Sequence, residues 1–189
     1  MKTLSKMALG IAFFVLSGLL FIPAGSAAKA PGEKCYTKVN IWYEFPDKIF
    51  TTNYHKGEMV PVGSQVEILK RKKNEIQFKD IRTGIKCKLI RIPKFMDVAG
   101  DELFERYFST GPVLDGADYA KFSPMEKENI KAGTLAVGMS KDAVLMAYGY
   151  PPTHRTKSLA DSTWTYWKSK FVNFEIQFDD KGLVAFIQK

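Results

Sequence analysis

Histidine and cysteine are scarce in this chain, with two of each among 189 residues, and that scarcity excludes most familiar site chemistry. His55 and His154 lie about a hundred residues apart, and neither sits in a His-Glu-x-x-His spacing. Both are read as surface loop residues. Neither cysteine belongs to a Cys-x-x-Cys pair or neighbours a histidine. The chain also lacks a Gly-x-Ser-x-Gly elbow, a phosphate loop and a dinucleotide fingerprint. Asp97, Asp101, Glu102 and Glu105 gather at the start of a helical segment, where they complement the macrodipole, and Asp179-Asp180 mark a turn. The expectation is a protein without catalytic residues, metal or cofactor, and so not an enzyme.

Long apolar runs are also missing after residue 28, so no later segment is expected to span a bilayer. Before it, Lys2 and Lys6 precede an apolar stretch from Met7 to Ile22, and Ala24, Gly25, Ser26, Ala27 and Ala28 follow Pro23. This is the layout of a secretory signal peptide cleaved after Ala28, with Ala28-Lys29-Ala30 as a neighbouring site. The alternative is an uncleaved anchor, for which the stretch is slightly short of the roughly 17 to 25 residues a spanning helix needs. Pro23 and the small residues favour cleavage. No cysteine follows the small residues directly, so a lipoprotein is not expected. Localisation is then periplasmic or outer-membrane-associated, with secretion beyond the cell left open.

Removing 28 of 189 residues leaves 161, enough for one medium domain or two small ones. Two cysteines in an exported chain favour a disulfide, and Cys35 to Cys87 is the single intramolecular pairing. A catalytic thiol is the rival reading.

Charge is unevenly spread. The formal net charge is +8, and residues 70–94 alone hold ten Lys or Arg against Glu75 and Asp80. The run Lys70, Arg71, Lys72, Lys73 falls at a hairpin tip. It is either a site for an anionic envelope surface or a device that keeps an exposed turn and edge soluble. Nucleic acid is not expected as a partner, because an exported protein rarely meets it and no aromatic-interleaved motif accompanies the lysines.

From Cys35 to Pro93, short stretches rich in Val, Ile, Phe and Tyr alternate with Gly, Asn, Asp and Lys clusters. About five strands in sixty residues suggest a small closed or nearly closed barrel held by the disulfide. Leu103, Phe104, Tyr107 and Phe108 then fall at helical spacing, as a linking helix. The second half reads helix, helix, strand, strand, strand. Ser123-Pro124 starts one helix and Ser140 caps another; strands follow at Thr163–Trp167 and Val172–Phe178, and across the turn Asp179-Asp-Lys-Gly182 to Leu183–Ile187. The expected boundaries are 1–28 signal peptide, 29–94 barrel, 95–119 helical linker and 120–189 second domain.

Gly133-Thr-Leu-Ala-Val-Gly-Met-Ser-Lys-Asp-Ala-Val-Leu-Met-Ala-Tyr-Gly-Tyr-Pro151, Trp164-Thr-Tyr166 and the hairpin from Val172 to Val184 together resemble the SmpA/OmlA/BamE family over roughly residues 120–189. The resemblance implies a two-helix plus three-stranded antiparallel sheet domain. It also implies an accessory role in outer-membrane assembly, by contact with lipid and partner proteins. The front barrel is similar, without a diagnostic motif, to a bacterial Src-homology-3-like domain. The fold class expected is therefore α+β, a small all-β barrel joined to a BamE-like domain. Trp42-Tyr-Glu-Phe45 adds a candidate partner groove at Trp42 and Tyr43, since adjacent strand residues point to opposite faces and at least one of these aromatics should be outward. The functional expectation is an envelope binding or accessory protein whose partners are envelope proteins, outer-membrane assembly components among them, or an anionic lipid surface. The alternative is a soluble ligand-binding or inhibitor protein using the second sheet as its scaffold.

Overall fold

The structure is a computed structural model that describes residues 32–52 and 54–188. The expected signal peptide and its cleavage site lie outside the described residues. Among those residues, no helix is long and apolar enough to cross a membrane.

The first half is built on a curled six-stranded half-barrel sheet. In chain order its strands are β1 (Glu33–Thr37), β3 (Ile49–Phe50), β5 (Gln65–Lys72), β6 (Glu75–Asp80), β7 (Lys86–Ile90) and β8 (Phe108–Ser109), laid side by side as β3-β7-β6-β5-β1-β8. Strands β2 (Ile41–Tyr43) and β4 (Glu58–Val60) form a separate antiparallel pair. The sheet is thus open rather than a closed barrel. Strict alternation decides its two faces: Cys35, Val66, Ile68, Ile76, Phe78, Cys87 and Leu89 point inward and are buried. A register shift between Ile68 and Lys70 reverses the parity of β5, so that Arg71, and not Lys70 or Lys72, pairs with the inward Ile76.

Helix α1 (Gly100–Tyr107) does more than link. Its Leu103, Phe104 and Tyr107, with Phe108 beyond, are buried in the same core as the sheet's inner face. Strand β8 then adds to the β1 edge. The concave side of the sheet is filled from the next element along the chain, which is why few strands suffice.

A four-residue helix, α2 (Ala117–Ala120), leads to α3 (Pro124–Ala132) and α4 (Lys141–Tyr148), and then to β9 (Thr163–Trp167), β10 (Asn173–Phe178) and β11 (Val184–Gln188). The last three form an antiparallel sheet in the order β11-β10-β9. Trp164, Tyr166, Phe174, Ile176 and Val184 bury against Ala143, Val144 and Ala147 of α4 in a second core. The architecture is α+β, with helix, helix, strand, strand, strand in the second half as the sequence suggested.

The two helices are tied together at both ends. Glu126 completes a capping box with Ser123 at the start of α3. Its second oxygen accepts from the backbone N–H (2.9 Å) and hydroxyl (2.7 Å) of Ser140, the N-cap of α4. Burial alone would raise the Glu126 carboxyl, but hydrogen bonds from both serines outweigh it and hold the group below its usual value. At the other end, Asn40 from the first half donates through Nδ2 to the carbonyls of Ile130 (2.7 Å) and Ala147 (3.1 Å), in the last turns of α3 and α4. Its Oδ1 accepts from Val62 N–H (2.7 Å), and its own N–H donates to Met146 (3.0 Å). The C-terminal carbonyls of a helix have no partners within it, and here one buried asparagine supplies them. The cores interlock as well, since Val62 joins the second and Tyr150 packs on the first.

Asn40→Ala is expected to leave the Ala147 carbonyl and the Val62 N–H without this partner and the Ile130 carbonyl with only the longer bond from Gly133 N–H (3.3 Å), at a cost of roughly 2 kcal/mol or more, read from urea unfolding. Asn40→Asp presents a carboxylate to two carbonyls, which raises its folded pKa above the unfolded value of about 3.9. The deficit of that variant against the parent should therefore grow as pH rises from 4 to 7, and a pH-independent deficit would contradict the arrangement.

Candidate functional site

The seam that Asn40 closes carries the main concavities. One groove, of about 520 Å³, is lined by Phe45, Phe50 and Tyr54 of the first half, Phe95, and Trp167 and Phe171 of the second. Phe45 is 64 % and Phe171 85 % exposed, although both are large and apolar. Lys48 and Lys170 line the same groove, whose one carboxylate, Glu44, pairs with Lys56 at 2.8 Å. A second hollow of about 470 Å³ is lined by Trp42, His55, Leu135, Tyr148 and Phe174 among others. A cavity of only about 30 Å³ sits between the halves beside Asn40, Trp42, His55 and Trp167.

Of the expected groove pair, Trp42 is at the seam and Tyr43 is not. Trp42 packs so tightly on Gly133 that a Cβ there would sit 2.7 Å from the indole, which together with a φ of +66° explains glycine at the end of α3. Tyr43 points the opposite way into the first core and is 8 % exposed; burial is the main cause of its raised pKa. The outward aromatic of this stretch is Phe45.

Neither histidine is a surface loop residue of the ordinary kind. His55 Nε2 donates to the carbonyl of Tyr148 (2.7 Å) while its ring stacks on Tyr148, and Nδ1 is buried without a hydrogen-bond partner. Burial, partly offset by the bond to Tyr148, pushes its pKa down to about 3. His154 packs against the rings of Phe95 and Trp167, which also meet each other, and its pKa is also lowered, chiefly by burial. The two histidines thus pack against opposite parts of the seam. No group of three or more His, Cys, Asp or Glu among the described residues is placed to hold a metal.

The disulfide expected between Cys35 and Cys87 is not present: both residues are buried and no bond joins them. Cys35 pairs with Val66 on β5 and Cys87 with Phe78 on β6, so two strands lie between them. Three strand spacings of about 4.8 Å compare poorly with the Cα separation of under about 7 Å that a bridge requires. Burial pushes the Cys87 thiol up to about 12, with Asp80 adding to the effect.

The basic run divides. Lys70, Lys72 and Lys73 are exposed, but Arg71 turns inward, lays its guanidinium over the Phe104 ring at 3.9 Å and pairs with Asp101. Arg91 is likewise structural, donating to the carbonyls of Met96 and Asp97 and to Asn74 Oδ1. The sheet register instead brings Lys34, Lys79, Lys86 and Lys88 onto the same outer face as Lys70 and Lys72. Reading the alternation of β6 and β7 together with the charge excess of residues 70–94 would have found Lys79, Lys86 and Lys88. Nothing in the sequence signalled that Phe95 and Phe171 share a groove with Phe45.

No protein-family model matches the chain, and searches among curated proteins and solved structures find no match either.

Two measurements test this description. The unfolded chain binds a proton at His55 that the folded chain refuses between pH 6.5 and about 3. Stability should therefore be fully present above pH 6.5 and fall below it by about 1.4 kcal/mol per unit. Between pH 6.5 and 5, His55→Gln should remove most of that slope and leave the smaller part due to His154; below pH 4.5 the lowered Glu126 carboxyl adds its own loss. Iodoacetamide should label no cysteine in the folded protein at pH 8 and two after unfolding without reductant; absence of labelling after unfolding would show a bridge.

Proposed function

We propose that the protein is an exported cell-envelope binding or accessory protein that acts through surface contact and not through catalysis. Its working surface is the aromatic groove at the seam, which takes an extended segment of an envelope protein. The observation that carries this reading is the pair Phe45 and Phe171, contributed by the two halves to one groove and both left mostly in solvent. Large aromatics in a concave apolar site are the kind of surface that partners cover and that dominates binding energy. Lys48 and Lys170, with Glu44 already paired, favour a segment that combines apolar and acidic side chains.

The second half is read as a BamE-like domain and the first as Src-homology-3-like. Two helices followed by a three-stranded meander support the former, and a strongly curled sheet supports the latter. Outer-membrane assembly components are accordingly the first envelope partners to test.

A photoreactive phenylalanine placed at position 171, illuminated in intact cells, is expected to give one discrete adduct that disappears when Phe45 is changed to Ser. The same probe at Phe186, 54 % exposed on β11, is expected to give none. An adduct indifferent to Phe45→Ser, or no adduct, would remove the groove as the working surface. A single soluble protein captured in a Phe45-dependent way would instead identify a ligand or inhibitor role.

A further inference from the structure

Helix α1 fills the concave side of the half-barrel sheet, whereas among the described residues the side chains that β1, β5, β6 and β7 turn to the outer face are all exposed or half-buried. Its composition follows from register. Lys34, Glu67, Lys79 and Lys86 form one row across β1, β5, β6 and β7; Lys70, Gln77 and Lys88 form the next; Lys72, Glu75 and Ile90 form a third. Six lysines thus face two glutamates. Glu75 accepts from Gln77 at 2.7 Å and lies 3.9 Å from Lys72. Neighbours in a row are about 4.8 Å apart and successive rows about 7 Å apart, so the lysines form a lattice of cations and not a single point charge.

The β6–β7 turn lies at one end of this lattice, next to Lys79 and Lys86. It exposes two aliphatic side chains, Ile81 at 40 % and Ile85 at 37 %. The turn is stiff: Asp80 is buried and accepts from Arg82 N–H (2.9 Å) and the Thr83 hydroxyl (2.8 Å), while its own carbonyl accepts from Gly84 N–H (2.8 Å). Ile81 and Ile85 thus each keep more than a third of their surface in water on a rigid tip. Beside a field of lysines it matches an interface with an anionic, hydrated surface over an apolar interior.

We propose that this face is a membrane-docking surface: the lysine lattice lies against the headgroups of an anionic bilayer and the Ile81–Ile85 tip enters the boundary between headgroups and acyl chains. Lysine stems reach from the convex sheet to a flat surface while keeping their charges in water. A soluble polyanion would satisfy the lysines equally well but gives no reason for the isoleucines. The surface shares no residue with the seam groove, so the two readings stand or fall separately.

The test is sedimentation of the purified protein with vesicles of phosphatidylcholine alone and of phosphatidylcholine with about one-third phosphatidylglycerol. Binding is expected only to the anionic vesicles, and to weaken as salt is raised. Each lysine near the surface contributes about a fivefold change in partitioning, so Lys79→Glu, Lys86→Glu and Lys88→Glu combined should lower it by about a hundredfold or more. Ile81→Ser with Ile85→Ser, which leaves the charge unchanged, should also weaken it. Ile85→Trp should show a blue-shifted emission on anionic vesicles, a readout that depends on entry of the tip rather than on fold stability; circular dichroism of each variant checks folding. Equal binding to both vesicle types, or none, would overturn the proposal. So would anionic binding that is unaffected by the serine changes, unshifted in tryptophan emission and fully competed by heparin, which would mark a soluble-polyanion site. The groove variant Phe45→Ser should bind vesicles as the parent does, so loss of its cross-link leaves this result intact.

Discussion

The buried side chain of Asn40 holds the molecule together as one object. An amide is the one uncharged side-chain group that offers two donors and an accepting oxygen, and here two donors meet helix carbonyls while the oxygen meets a loop N–H. An apolar residue of the same size would leave the Ala147 carbonyl and the Val62 N–H without this partner and the Ile130 carbonyl with only its longer bond from Gly133 N–H. The orientation of the amide follows from its partners, since carbonyls cannot donate. Around that point, Val62 reaches into the second core and Tyr150 onto the first, so the seam combines satisfied polar groups with apolar packing.

Glu126 plays the matching part at the far end of the helix pair. A carboxylate between two serine N-caps neutralises the positive ends of α3 and α4 together, which also requires the helices to run in the same direction. With both ends tied, the pair is a rigid plate against which Trp164, Tyr166 and Phe174 pack. The concavities at the seam are what remains when a curled sheet with its own core meets this plate edge to edge. Their walls are aromatic because Trp42, Tyr148 and Trp167 lie where the two cores approach.

Much of the fold was legible in local pattern. Ser123-Pro124 and Ser140 announced the helix starts, and the Val172–Phe178 alternation one strand of the final sheet. These signals work because caps, turns and alternation are decided by neighbours within a few residues. Pairings between distant residues were less accessible. The disulfide inference relied on compartment and count, and it failed because β5 and β6 lie between the cysteines. The run Lys70 to Lys73 looked like one patch, yet the register shift after Ile68 reverses the parity of β5, which turns Arg71 inward onto Phe104 and leaves its neighbours outside. Alternation sends Trp42 and Tyr43 to opposite faces, and the docking of the two halves decides that Trp42 is the one at the seam.

By itself the sequence determined the class of elements, their order, the absence of familiar catalytic motifs and the concentration of positive charge in residues 70–94. Each of these depends on composition or on short-range geometry. Only the tertiary structure decided which lysines share a face, that Phe45 and Phe171 meet in one groove, and that His55 loses its surroundings of water. Those outcomes depend on strand register and on how two cores dock, and both are settled by contacts between residues tens to more than a hundred positions apart, which no local pattern encodes.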